Sequence, residues 1–232
     1  YMAPHDDGAY VREVLVGDAH WQNLIAIGIA DCVRDKTNPN HNMSRDAGKT
    51  WVYAYLYGCG IDVSGENFIL AWIAFYGEPP KGSVTALGKK SRADLKKGLP
   101  ALAALEAGVK AKAKHSKALK GLDGRILHVR SPHAALNTLL QSAGALIMKQ
   151  ALVELEALLQ ENGLLNSWQS KTPDYEFVLN VHDEWQIQVI EKHAELAAKL
   201  SPIAMTRAGD FFNFRCRIDG EAAIGISWKD TH

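Results

Sequence analysis

No proline interrupts the stretch between Ser131-Pro132 and Asn162-Gly163, and this run of helix-forming residues constrains the fold more than any other feature of the chain. Serine followed by proline supplies a capping residue and a proline at the first helical position, while asparagine-glycine is a stop. Some thirty residues at ~1.5 Å each predict a rod of about 45 Å, long enough to cross a whole domain. A chain of 232 residues, 47% of them hydrophobic, holds enough apolar side chains for one sizeable core or two modest ones around such a rod.

The flanking segments read as a mixture of helix and strand. Gly8 to Ala30 has helical spacing and predicts a helix, followed by a loop over Asp35 to Asn42. Ser44 is the expected cap of a second helix, with Asp46 in its first turn and Gly58-Cys59-Gly60 as its stop. Gly77, Pro79, Pro80, Gly82 and Gly88 predict a flexible bridge, after which Ser91 to Lys120 reads as helix broken at Gly98, Pro100 and Gly108. Asp123-Gly124 predicts a two-residue hairpin. Phe177 to Val181 and Trp185 to Val189 read as strands joined by the acidic turn His182-Asp183-Glu184. A helix over Glu191 to Thr206 and a strand and tail over Asn213 to Trp228 complete the pattern.

Charge is balanced overall, with 26 basic and 26 acidic residues, but it is not evenly spread. Lys89 to Lys120 holds ten basic and two acidic residues; Ala151 to Leu200 holds three basic and nine acidic. A cationic and an anionic block in one chain can serve phosphates and metal ions respectively, although lysine runs are also common on solvated helix faces. Cys32, Cys59 and Cys216 have no paired spacing, which argues against a disulfide framework or zinc site and fits a reducing cytoplasm. Tyr1 to Tyr10 is not an apolar signal region, and no run is long enough to cross a bilayer, so no membrane role is expected.

Three constellations carry chemistry. Arg45, Lys49, Tyr53 and Tyr57 follow one another at four-residue spacing, which sets two cations and two rings on one helical stripe. That order suits a nucleoside triphosphate, cations taking phosphate oxygens and rings packing on sugar and base. It equally fits an amphipathic helix with a basic exposed end and buried tyrosines. His133, Asn137 and Gln141 form a second four-residue series on the long helix, a polar seam on a rod expected to be buried. Such a seam matches base edges in the degenerate minor groove, or an internal hydrogen-bond network between helices. The third is Asp183-Glu184 at the hairpin tip, where a carboxylate is placed to ligate a hard cation such as magnesium, or simply to face water.

Arg45 to Gly58 (RDAGKTWVYAYLYG) resembles the fingers motif of family A DNA polymerases, and Val181 to Glu184 (VHDE) resembles their second palm motif. The block GLDGR followed by HVRSPHAALNTLLQSAGAL, Gly121 to Leu146, is similar to the phage replicative members. The resemblance runs from Tyr1 to His232, with insertions over Ile27 to Met43 and Ile61 to Lys90. It implies an α+β fold: a palm of antiparallel sheet and helices entered through residues 1–20, a mainly helical fingers subdomain over 21–120, and the palm again over 121–232.

By the same resemblance, His20, Arg45 and Lys49 hold the triphosphate of an incoming deoxynucleotide, Tyr53 stacks near its sugar and Tyr57 lies by the templating base. Arg130, His133, Asn137, Gln141 and His182 contact primer and template. Asp183 ligates two magnesium ions with Glu184 beside them, and Lys49, Asp183 and Glu184 form the catalytic set.

The family also uses a second aspartate on a strand that would precede Tyr1; Asp6, Asp7 and Asp18 lie in the wrong context to replace it. The expectation is therefore a DNA-directed DNA polymerase portion that is inactive alone and is completed by an N-terminal polymerase chain bearing exonuclease, thumb and first palm motif. Division of the enzyme between two chains is favoured over a shortened piece or a degenerate remnant, because Arg45, Lys49 and Asp183 are intact. The alternatives are an inactive module that binds primer-template DNA and, less favoured, a single-subunit RNA polymerase.

Overall fold

The computed structural model describes residues 1–231, so His232, the last residue of the expected palm portion, lies outside the described residues. The chain divides into two compact units, one made of Tyr1–Leu119 and Ile126–Leu139, the other of Lys120–Arg125 and the chain from Leu140 onward.

In the first unit, short helices α1 (Ala3–Asp6) and α2 (Ala9–Leu15) precede α3 (Ala19–Ala26). The single helix expected over Gly8 to Ala30 is thus broken at Gly17-Asp18, because Asp18 turns out of helical geometry to cap α3, accepting the Trp21 N–H at 3.1 Å. Helix α4 (Pro39–Leu56) begins earlier than expected. Asn38 is its cap, while Ser44 is fully buried inside it and donates its hydroxyl to the Ala71 carbonyl at 2.9 Å on α5 (Ile61–Tyr76). A serine hydroxyl satisfied by a neighbouring helix gives up its capping role.

Helices α4 and α5 are further joined by Trp51, whose indole N–H donates to the Ser64 carbonyl at 2.8 Å and whose side chain is fully buried. Burial of a large apolar side chain stabilises by roughly 1.5–3 kcal/mol. Helix α6 (Val84–Gly98) lies against α5 at backbone contact. A Cβ on Gly65 would fall 2.0 Å from the Val84 carbonyl oxygen and one on Gly88 2.1 Å from that of Ile61, so only glycine admits the approach. Helix α7 (Pro100–Ser116) contains Gly108 without a break, which corrects the expected interruption there; a lone glycine costs a helix only about 1 kcal/mol. Leu105, Val109 and Ala113 of α7 pack on Leu119, Leu127, Val129, Ala135 and Leu139.

Strands β1 (Ala118–Lys120) and β2 (Ile126–His128) form a two-stranded sheet. Their connection is five residues rather than the predicted two: the Gly121 N–H closes on the Arg125 carbonyl at 2.9 Å, outside the Asp123-Gly124 turn. Ser131 makes no capping bond; its carbonyl accepts the Ala134 N–H of a 3-10 turn, Pro132–Ala134, that leads into α8 (Ala135–Glu161). Gly163, at φ 80°, stops the chain just after α8 as expected.

The second unit is built on α8, the antiparallel pair β3 (Tyr175–Val181) and β4 (Glu184–Val189), and α9 (Ala194–Phe211). Its core joins Leu155, Leu158 and Leu159 of α8 to Tyr175, Ala197, Leu200 and Ala204, with Trp185 and Ile187 packed against it. Pairing of β3 with β4 slips between Phe177 and Leu179, a bulge at Val178. Helix α9 runs five residues past the expected end at Thr206 and stops at Asn213, φ 54°, where the Phe214 N–H returns to the Gly209 carbonyl. The strand expected over Asn213 to Trp228 is absent from the described residues; near its end a local turn joins Ser227 and Asp230.

Candidate functional site

On α4 the four-residue stripe divides the helix cleanly. Trp51, Val52 and Tyr55 face the core, whereas Tyr53 and Tyr57 are 41% and 52% exposed, so the tyrosines of the stripe are not core residues. Their rings stack with centroids 6.1 Å apart, and the Lys49 ammonium lies 5.9 Å from the Tyr53 centroid. Gly48, behind the stripe, lets α3 approach: a Cβ there would meet Leu24 Cδ2 at 2.5 Å.

That approach brings His20 of α3 to the same face, 6.1 Å from Tyr53 centroid to centroid. His20 Nδ1 is buried and without a hydrogen-bond partner among the described residues. Burial, and then the charges of Arg45 and Lys49, hold its pKa below the ordinary histidine value. Arg45 donates its Nε–H to both Asp18 oxygens, at 3.0 and 2.9 Å. Burial works to raise the Asp18 carboxyl, but the Trp21 N–H and the Arg34 and Arg45 guanidiniums outweigh it and keep the group below the usual carboxylate range. His20, Arg45, Lys49, Tyr53 and Tyr57 thus form one surface of two cations, two rings and an imidazole.

The opposite face of α4 is held by a buried polar cluster that the sequence did not disclose. The Tyr55 hydroxyl donates to Glu106 Oε2 at 2.5 Å, and Lys96 and Lys110 also reach the Glu106 carboxylate. The Arg92 guanidinium lies 5.4 Å from the Tyr55 centroid and donates to Ser64 Oγ at 2.8 Å and the Cys59 carbonyl at 2.5 Å. A cavity of about 50 Å³ beside this cluster is lined by Tyr55, Arg92, Glu106, Lys110 and His133.

The second series is not the buried seam that was expected. His133 and Gln141 are exposed and Asn137 half-buried, its Oδ1 lacking a hydrogen-bond partner among the described residues. His133 stands in the 3-10 turn, and Asn137 and Gln141 follow on α8. None of the three joins an internal network among the described residues, and Arg130 is exposed as well.

At the β3–β4 hairpin, Val181 pairs with Glu184, which leaves His182 and Asp183 as a two-residue tip. His182 has φ 53°, a left-handed conformation that costs a non-glycine residue about 1 kcal/mol or more. His182 and Asp183 are exposed, and Asp183 makes no hydrogen bond or ion pair among the described residues. Glu184 is engaged: its Oε1 accepts the Trp228 indole N–H at 3.0 Å and is approached by the Gln186 amide. No group of three histidine, cysteine or carboxylate side chains fit to hold a metal ion gathers among the described residues. Asp183 offers one free hard ligand, which alone does not make a two-ion site.

The first unit thus bears an exposed cation-and-ring stripe on α4, and the second carries a carboxylate on a tight β-hairpin. The chain belongs to DNA polymerase family A, whose family model matches residues 103–230. The DNA-directed DNA polymerases of Enterobacteria phage T3 and Escherichia phage T7 are 34% and 35% identical over 251 residues, covering 100% of this chain and 31% of each relative. That of Escherichia phage Phieco32 is 29% identical over 230 residues, 95% of this chain. The chain therefore spans about a third of the length of these relatives. The fold is also that of the POL domain of Pol1 from M. smegmatis, solved with DNA primer-template and dNTP, at TM-score 0.64 and 18% identity over 89% of this chain and 34% of that one.

Proposed function

We propose that this chain is the portion of a DNA-directed DNA polymerase that grips the incoming deoxynucleoside triphosphate and presents one catalytic carboxylate. The exposed pair Tyr53 and Tyr57, stacked on each other with the Lys49 ammonium beside Tyr53, carries this reading, since a cation next to an open aromatic platform suits a phosphate joined to a sugar and base. Arg45, Lys49 and His20 take the phosphates, Lys49 as a catalytic cation. Tyr53 packs on the sugar and Tyr57 on the templating base, where each stacked base contributes about 1–3 kcal/mol. Arg130, His133, Asn137 and Gln141 contact primer and template, a role that the exposure of Arg130, His133 and Gln141 supports. Residues 21–120 serve as fingers, and residues 1–20 and 121–232 as palm.

At the hairpin, His182 touches the primer end, with Asp183 and Glu184 the acidic members of the catalytic set. The two magnesium ions of this family would be shared between Asp183 and a carboxylate from outside these 232 residues, supplied by a longer chain or a partner. Exposed Phe177, Val178, Leu179 and Val181 on β3 suit the addition of such a palm segment. By itself the chain binds but does not extend. On this reading its work belongs in the cytoplasm, that of a bacterial host if the chain is phage or prophage encoded. Among the described residues no helix is long and apolar enough to cross a membrane.

A catalytically silent primer-template binder is the second reading, favoured by the exposed Lys89, Lys97, Lys112, Lys114 and Lys117 of α6, α7 and the residue after it. Primer extension separates the two. Supplied with the upstream polymerase portion of a phage relative, the chain should extend a primer and Asp183→Ala should not; extension surviving that change refutes the catalytic role.

A further inference from the structure

Asp18 joins two parts of the phosphate-facing surface, the start of α3 that carries His20 and the Arg45 guanidinium of α4. It caps α3 two residues before His20. The same carboxylate accepts Arg45 Nε on both oxygens and Arg34 Nη1 at 2.6 Å. Arg34 is anchored in turn: Nη2 donates to Asn42 Oδ1 at 2.6 Å, and Asn42 Nδ2 donates to the Lys36 carbonyl at 3.0 Å. Arg34 and Asp18 are each about one-fifth exposed, so the pair is fixed by surrounding atoms rather than loose in water.

Two consequences follow from this geometry. A guanidinium held by its Nε edge keeps its two terminal nitrogens directed elsewhere, and those are the donors that grip phosphate oxygens. One of them, Nη1, makes an ion pair with the largely exposed Asp46 at 3.7 Å, longer than a hydrogen bond. Arg34 supplies a second positive charge to Asp18, so the carboxylate can orient Arg45 without cancelling the positive field of the Arg45 and Lys49 face.

We propose, resting on the nucleotide-binding role argued above, that Asp18 is the positioning residue of the triphosphate site, aligning Arg45 and His20 on the same phosphates with Arg34 as its counter-charge. Calorimetric titration of the 232-residue chain with deoxyadenosine triphosphate, and with deoxyadenosine as the phosphate-free control, tests it. Asparagine is as good a helix cap as aspartate, so Asp18→Asn keeps the start of α3 while removing the charge. Electrostatics alone predicts that losing a carboxylate tightens binding of a polyanion; positioning predicts the reverse.

The expected result is triphosphate binding weakened about tenfold by Asp18→Asn and about fivefold by Arg34→Gln, the scale of a lost charge-assisted contact, with deoxyadenosine binding unchanged. If circular dichroism shows that Asp18→Asn does not fold, Asp18→Ser, also an uncharged helix cap, carries the test with the same expected loss. Triphosphate binding that is equal or tighter in the folded variants overturns the inference while leaving the nucleotide-binding role standing. Absence of triphosphate binding by the unchanged chain overturns that role, and the inference with it.

Discussion

The Tyr55 hydroxyl donates a 2.5 Å hydrogen bond to the Glu106 carboxylate on the side of α4 opposite the exposed Tyr53 and Tyr57 rings. Burial works to raise the Glu106 carboxyl, but the bonds from Lys110 and Tyr55 and the charges of Lys110 and Lys96 win and keep it below the ordinary value. Burial, then Glu106 itself, push the Tyr55 phenol well above its usual range, so Tyr55 remains a donor. The cluster fixes the rotation of α4 and with it the direction in which the stripe points.

Glu106→Gln should therefore cost about 3 kcal/mol at pH 7, as breaking a buried ion pair does, and Tyr55→Phe about 1 kcal/mol. The sign of the pH effect follows from a depressed folded value: the Glu106 contribution is complete above its unfolded pKa, about 4.3, and is lost as pH falls through the folded one. Urea unfolding at pH 7 and at pH 4 checks both points. The gap between wild type and Glu106→Gln should narrow in acid, and equal stabilities at pH 7 would count against the cluster.

His20 gives a spectroscopic prediction. Its folded pKa lies below the unfolded value of about 6.5, so unfolded chains bind more protons between the two values. Its contribution to stability is present above the unfolded pKa and lost as pH falls through the folded one. In an NMR titration the His20 midpoint should fall below that of a free histidine and move upward on addition of a deoxynucleoside triphosphate, whose charge favours imidazolium. A midpoint indifferent to the triphosphate would place His20 outside the site.

The lysines of α7 should act on DNA by charge alone. Lys112 and Lys114 are exposed and make no ion pair among the described residues. Each phosphate contact contributes about 0.9 to the slope of log affinity against log salt on duplex DNA. The double change Lys112→Ala and Lys114→Ala should lower that slope by about 2 and weaken all sequences alike. Anisotropy titrations with labelled primer-template across salt concentrations measure it, and an unchanged slope would remove these lysines from the interface.

Much of this was legible in the sequence. Four-residue spacing put Arg45, Lys49, Tyr53 and Tyr57 on one stripe, and strand-turn-strand patterning set Asp183 at a hairpin tip. Spacing alone did not say which way the tyrosines face; that depended on Trp51 and Tyr55 filling the core side. Helix starts were misread where tertiary bonds override local chemistry, as when Ser44 donates to Ala71 rather than capping α4. Asp18 was visible as a carboxylate, but its partners Arg34 and Arg45 are 16 and 27 residues away, and nothing in local pattern joins them. Tyr55 and Glu106, 51 residues apart, were hidden for the same reason.

The most direct test of the account is where a nucleotide lands. Photolabelling the chain with an azido-deoxyadenosine triphosphate, followed by mass-spectrometric mapping of the adduct, should mark Tyr53 or Tyr57 on α4, and excess deoxyadenosine triphosphate or Lys49→Ala should suppress the label. Adducts confined to other elements, or labelling of α4 that persists in Lys49→Ala and under competition, would contradict it.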